Sequence, residues 1–341
     1  MSEPSPKPKR RGRLLRFGAA LVVLFSVAGY LAVQYLTGPA APSCKVISGK
    51  ADGASYSFTP EQAVNAATIS AVGTTRGLPE RAVTIAIATA LQESGLRNIQ
   101  HGDRDSLGLF QQRPSQGWGS EKQIMDPTYA ATMFYDHLAK VPDYARLPLT
   151  VAAQRVQRSG YPEAYAKHEP DATLLAAALT GRSAATLTCQ GRPAPATTGG
   201  TDAVRAALVR DFGRDVLQTA GAEVAAGSSS SSPTDTGPAA DTSTATSTDP
   251  ATDTSTAEPS TGSDALTIPV PRKSTASGTA RQRGWELAHW AVANSSALHI
   301  TRVSFEGREW SRGGFASEWR TTTGGSAAHA SVGQVRIVTG E

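Results

Sequence analysis

The sequence is poor in cysteine, in aromatic side chains and in net charge. Of 341 residues, 2 are cysteines, 6% are aromatic, and 33 Lys and Arg stand against 29 Asp and Glu, a net charge of +4. Two cysteines exclude a disulfide-dense scaffold and a cysteine-based zinc cluster. The six histidines form no H-x₃₋₅-H pair, so no metal or other cofactor is expected. The charge is too small to argue for nucleic acid. Hydrophobic residues make up 39% of the chain, against about 45–50% in globular chains once Gly is counted. Part of the chain should therefore lack a core, and the rest suffices for one well-packed domain of about 130–150 residues. The deficit is concentrated in residues 228–264, which have no aromatic, no Leu, Ile, Val or Met, and no Lys or Arg. Such a stretch cannot bury enough apolar surface to offset its ordering entropy. It reads as a disordered Ser/Thr/Asp-rich linker over 227–265.

Residues 1–16 carry Lys7, Lys9, Arg10, Arg11, Arg13 and Arg16 against one acid, Glu3. From Phe17 to Leu36 the chain then runs uncharged. At about 1.5 Å per residue that run matches the roughly 30 Å hydrocarbon layer. It is expected to be a transmembrane helix, with the basic segment cytoplasmic and the bulk of the chain outside. A cleaved signal peptide is the competing reading. Both put Cys44 and Cys189 in oxidising surroundings, where a bridge between them is expected.

A helical region follows. Thr59, Pro60 and Gln62 spell a capping box with proline at the first helical position. Pro79-Glu80 opens a second helix whose run Ala82–Leu91 is apolar nearly all round, so it should be buried. Further helices are expected over Pro127–Ala139, Thr150–Gln157 and Pro162–His168. Beyond the linker, helical spacing over Trp285–Leu298 and strands over Ile300–Phe305 and Gln334–Val338 suggest a small α+β module at 266–341. Residues 201–226 are its possible first part.

The chemistry is concentrated in Thr89–Gly119. Glu93 ends the buried helix. Apolar surroundings and the negative end of the helix dipole both disfavour its charged form. A carboxyl that keeps its proton near neutral pH is what a glycosidase general acid requires. Glu93-Ser94-Gly95, then Asn98, then Ser106-x-Gly108-Leu109-Phe110-Gln111 and Pro114 resemble the signature of soluble lytic transglycosylases and goose-type lysozymes. The likeness covers roughly residues 59–170. The run from Gly102 to Pro114 is similar to a group of exported actinobacterial lysozyme-like proteins.

The resemblance implies a mostly α lysozyme-like domain over 44–190 that cleaves peptidoglycan glycan strands as a lytic transglycosylase or muramidase. Glu93 would protonate the oxygen between N-acetylmuramic acid and N-acetylglucosamine. The C6 hydroxyl of the substrate would then close a 1,6-anhydro ring. Ser106 and Gln111 resemble sugar-positioning residues, and Tyr129 and Tyr135 fall where aromatics stand behind the cleft. The sequence departs from the family in two places. The later Tyr-Asn-x-Gly motif is replaced by Val156–Gly160, followed by Tyr161 and Tyr165, with Gln157 as a substitute amide. Asp103 and Asp105 are inserted between the acid and the Gly-Leu-Phe-Gln strip. One of the pair is a candidate base orienting water, Asp103 first, which needs about 6.5–9.5 Å from Glu93. A Ca²⁺ site would need more ligands than these two. The alternative is that Asp103 pairs with Arg104 or caps a turn. Gln112 and Trp118 complete the candidate binding set, with Trp118 either stacking on a sugar or covering the core.

In the C-terminal module, Leu287-Ala288-x-Trp290, Asn294, Leu298-x-Ile300, Val303, Arg308-x-Trp310 and a closing strand after His329 resemble the small domain of D-Ala-D-Ala carboxypeptidase-type metallopeptidases. Gln334 and Arg336 stand where those enzymes carry zinc-binding histidines, and neither side chain can replace a neutral imidazole. That implies a metal-free module used for packing or binding, with cell-wall or division proteins as possible partners. The alternative to an enzyme is a non-catalytic peptidoglycan-binding or structural envelope protein using the same cleft.

Overall fold

The computed structural model describes residues 20–30, 41–50, 52–191, 200–217, 265–270, 278–313, 318–322 and 333–340. The chain divides into two units, 1–41 and 42–341. In the first unit only helix α1 (20–30) is described, with every residue exposed. Among the described residues no helix is long and apolar enough to cross a membrane. The transmembrane helix expected over 17–36 is corrected accordingly. The rest of that run, the basic segment 1–16 and nearly all of the linker lie outside the described residues.

The mostly α fold expected over 44–190 is corrected as well, since that stretch carries a three-stranded sheet. The protein is about half helical and carries two small sheets. Strand β1 (Ser43–Ile47) lies between β2 (Ser55–Phe58) and β3 (Leu187–Gln190), all antiparallel. Cys44 faces Cys189 directly across β1 and β3, and the two form a disulfide 145 residues apart in sequence. The bridge ties together the two ends of the helical region.

Helix α2 (Pro60–Thr75) starts at the expected capping box, with Thr59 and Gln62 each bonding the other's backbone. Its alanines let neighbours approach from every side, and Ala63, Ala66, Ala67, Ile69 and Ala71 are buried. Helix α3 (Glu80–Ser94) is likewise buried from Ala82 to Leu91. Around this pair stand α4 (Glu121–Ile124), α5 (Pro127–Leu138), α6 (Leu149–Gln157), a 3₁₀ helix (Pro162–His168) and α7 (Glu169–Leu179).

Helix α8 (Thr201–Phe212) and strand β4 (Ala265–Pro269) flank the linker. They are followed by α9 (Ala280–Ala293), β5 (Ile300–Phe305), β6 (Arg308–Ser311), β7 (Arg320–Thr321) and β8 (Gln334–Thr339). The five strands form an antiparallel sheet in the order β4-β8-β5-β6-β7. α9 lies so close to this sheet that a Cβ on Gly284 would sit 2.0 Å from the Phe305 ring. Buried bonds join this C-terminal part to α8, α2 and β3. The Trp290 indole N–H donates to Asp211 at 2.8 Å, and Thr74 donates to Glu286. The Trp319 indole N–H donates to the Leu187 carbonyl at 2.9 Å.

Candidate functional site

The site is built where α3 ends. Gly95 adopts φ 64°, and the Gly95 and Leu96 amides close back onto the Leu91 and Ala90 carbonyls. This left-handed termination stops the helix immediately after Glu93 and Ser94. The carbonyls it leaves over are taken by amides on α2. Gln62 donates to the Gly95 carbonyl and Asn65 to the Leu96 carbonyl, both at 2.8 Å. The Ser94 hydroxyl donates to the Leu109 carbonyl at 2.8 Å, fixing the loop that carries Leu109 and Phe110. None of these three was singled out for such a role from sequence. Their signal is an amide or hydroxyl embedded in an otherwise Ala-rich, buried stretch.

Glu93 is half-buried on this turn. The Tyr165 hydroxyl donates to Glu93 Oε1 at 2.6 Å. Tyr165 is fully buried on the 3₁₀ helix. Side chains three apart eclipse in that geometry, so Tyr165 and His168 both reach the last turn of α3. His168 Nε2 lies 3.2 Å from the Gln92 side-chain oxygen. Gln157, the last residue of α6, donates to the Phe110 carbonyl at 2.8 Å and also bonds the Glu93 carboxyl. Desolvation raises the pKa of Glu93 above the ordinary glutamate value, and the bonds from Tyr165 and Gln157 act in the opposite direction. Burial first, then the bond to Glu93, push the Tyr165 phenol far up. Tyr165 therefore stays protonated and remains the donor in the pair.

Glu93, Gln157 and Tyr165 are thus brought together, Trp118 shares a groove with Gln157, and the remaining candidates are bonded within the core or their own loop. Tyr135 is in the core, its hydroxyl donating to the Ile69 carbonyl at 2.9 Å. Gln112 is 1% exposed and donates to the Ala130 carbonyl, tying the loop to α5. Gln111 turns back onto its own loop, donating to the Gly108 carbonyl at 3.2 Å. Ser106 is buried in the turn, with its amide on the Asp103 carbonyl. Asp105 accepts from the Arg113 guanidinium at 2.7 Å and from the Ser115 amide at 2.9 Å. The Ser115 hydroxyl and amide, with Arg113, hold its carboxyl well below the usual range. Asp103 is exposed on the same loop.

Trp118 meets the His137 ring edge-on at 4.1 Å. Both line a groove of about 620 Å³ together with Lys140, Arg155, Gln157 and Arg158. Glu93 does not line this groove; its link to it is Gln157. Among the described residues, no three His, Cys, Asp or Glu side chains gather as a metal site. Gln334 is half-buried and Arg336 exposed on β8. No protein-family model matches the chain, and no curated protein matches it.

Proposed function

We propose that this protein cleaves the β-1,4 glycan of peptidoglycan, with Glu93 as the general acid and an anhydro sugar as the product. The observation that carries the reading is a half-buried carboxyl with a raised pKa at the end of an apolar helix, bonded by Tyr165 and Gln157. The motif resemblance from Glu93 to Pro114 supplies the substrate class. The step balances on a single carboxyl. Glu93 gives its proton to the glycosidic oxygen as the bond from that oxygen to C1 breaks. The C6 hydroxyl oxygen bonds to C1, and its proton passes to the Glu93 carboxylate. Asp105 is already engaged by Arg113 and Ser115, so of the two inserted carboxylates only Asp103 remains as a base for the hydrolytic alternative. Disulfides persist in oxidising compartments, so the Cys44–Cys189 bridge supports a place outside the cytoplasm, where the wall polymer lies.

The test is incubation of purified full-length protein with cell-wall sacculi, followed by mass spectrometry of released muropeptides. Anhydro-muropeptides from the native protein, and none from Glu93→Gln, are expected. Equal release by both proteins refutes the role of Glu93. A second reading, glycan binding without cleavage, is favoured by the position of Glu93 off the groove wall. Sacculus pull-down by both proteins with no released product identifies that case.

A further inference from the structure

The aromatic side chains of the second unit are placed unequally. Among its described residues Tyr161 is 78% exposed, and every other Phe, Tyr and Trp is buried or half-buried. A single exposed ring means little by itself. The place of this one in the chain gives it meaning. Tyr161 lies midway between Gln157 and Tyr165, four residues from each. Both of those side chains bond the Glu93 carboxyl, so the segment between them is anchored to the acid at its two ends. The 3₁₀ helix begins directly after Tyr161, whose carbonyl accepts from the Ala164 amide at 3.1 Å. At about 2 Å of rise per residue, the Tyr161 backbone stands about 8 Å from that of Tyr165 along the helix axis.

The loop is also held from within, which is a second and independent observation. The Tyr161 amide donates to Ser159 Oγ at 3.2 Å, and Gln154 donates to the Ser159 carbonyl at 2.8 Å. The Ser159 hydroxyl in turn bonds that of Tyr165. The backbone that presents Tyr161 is therefore fixed by the same phenol that bonds Glu93. The fold gains little from the ring, because an aromatic stabilises through the area it removes from water and this one removes little. A bare ring on a fixed backbone is preorganised for a ligand with an apolar face. The C–H face of a pyranose is such a surface, with its hydroxyls at the rim free to stay in water.

We propose that Tyr161 is a binding residue for the strand, a platform on which the C–H face of one sugar ring stacks beside the bond that Glu93 serves. The inference rests on the reading of Glu93 as a glycan-cleaving acid, because Gln157 and Tyr165 tie the platform to that carboxyl. The stack is the same before and during bond breaking, so it acts on substrate binding and not on the chemical step.

The test compares the full-length native protein with Tyr161→Ala and Tyr161→Phe. Anhydro-muropeptide release is followed over a range of sacculus concentrations, and binding is read separately by sacculus pull-down. Tyr161→Ala is expected to raise KM about tenfold with kcat unchanged. Tyr161→Phe keeps the ring and should restore the native KM. All three should melt together, since an exposed side chain contributes little to stability, whereas a structural role would lower the melting temperature of Tyr161→Ala. An unchanged KM in Tyr161→Ala overturns the platform and leaves Glu93 as the acid. A fall in kcat with KM unchanged overturns it too. If the native protein is captured by sacculi without releasing product and Tyr161→Ala is not captured, the platform stands and the cleavage reading fails. Equal capture of both in that case overturns the platform. If the native protein is neither captured nor active, both readings fail.

Discussion

Two regions of the molecule bury titratable side chains, and they treat them differently. At the junction of α9 with the helical region, His289 is fully buried with both ring nitrogens engaged. Nε2 accepts from the Thr186 amide, and Nδ1 lies 2.7 Å from the Ala178 carbonyl. Burial pushes its pKa down to about 4, so it is a neutral imidazole in one fixed tautomer. Asp211, bonded to the next residue of α9, has 0% side-chain exposure and accepts from Trp290, Thr68 and Arg210. At the end of α3, Glu93 has named partners as well, yet it stays half-buried and connects through Gln157 to an open groove. Burial with every partner inside the fold adds order. Burial with one side open leaves a proton that a ligand can take.

That contrast breaks if the wrong region proves essential for turnover. The largest effect is expected for Glu93→Gln, which should lower glycan cleavage by about 10²–10⁴-fold, read as anhydro-muropeptide release. Asp211→Ala should leave the indole of Trp290 and the hydroxyl of Thr68 without their acceptor. Unfolding in urea should show a loss of about 3–5 kcal/mol, with turnover per folded molecule unchanged. Removing the bridge with Cys44→Ser should cost about 2–5 kcal/mol, measured the same way and again without moving the pH profile.

A smaller effect sharpens the comparison. The bond from Tyr165 lowers the pKa of Glu93, so Tyr165→Phe should raise it. Cleavage needs the protonated acid, so the alkaline limb of the pH–rate profile should move upward. Burial of Tyr165 makes a loss of about 1 kcal/mol in stability the expected accompaniment. The smallest effect is on stability alone. The folded-state pKa of Glu93 lies above its unfolded value. Its contribution is full below the unfolded value and is lost as pH rises through the folded one. The amide in Glu93→Gln imitates the protonated form. The variant should therefore melt above the native protein at neutral pH and together with it in acid, by calorimetry at the two pH values.

Local signals were legible in the sequence. The capping box at Thr59, the buried run of α3 and the position of Glu93 at its end follow from neighbouring residues alone. Gln157 and Tyr165 were also among the candidates, because a displaced amide and aromatic pair stood where a motif was missing. Of the long-range pairings, the Cys44–Cys189 bridge was legible from the two cysteines and the strands around it were not. β1 and β3 are five and four residues long, too short to announce themselves, and they meet only because the chain returns. Tyr135 shows a different limit. An aromatic on α5 reads the same whether it faces a cleft or the core, and Gly73 decides the matter, since the Tyr135 hydroxyl fills the space a Cβ there would need. The uncharged run over 17–36 satisfies a hydropathy argument, whereas among the described residues no helix is long and apolar enough to cross a membrane.

The central claim is that the Glu93 carboxyl holds its proton longer than an ordinary glutamate does. Carbon-13 labelling of the glutamate side chains, with Glu93→Gln to assign the resonance, reads that proton directly as pH is varied. A midpoint above the ordinary value of about 4.3 is expected, rising further in Tyr165→Phe. A midpoint at or below that value, unmoved by Tyr165→Phe, would contradict the account.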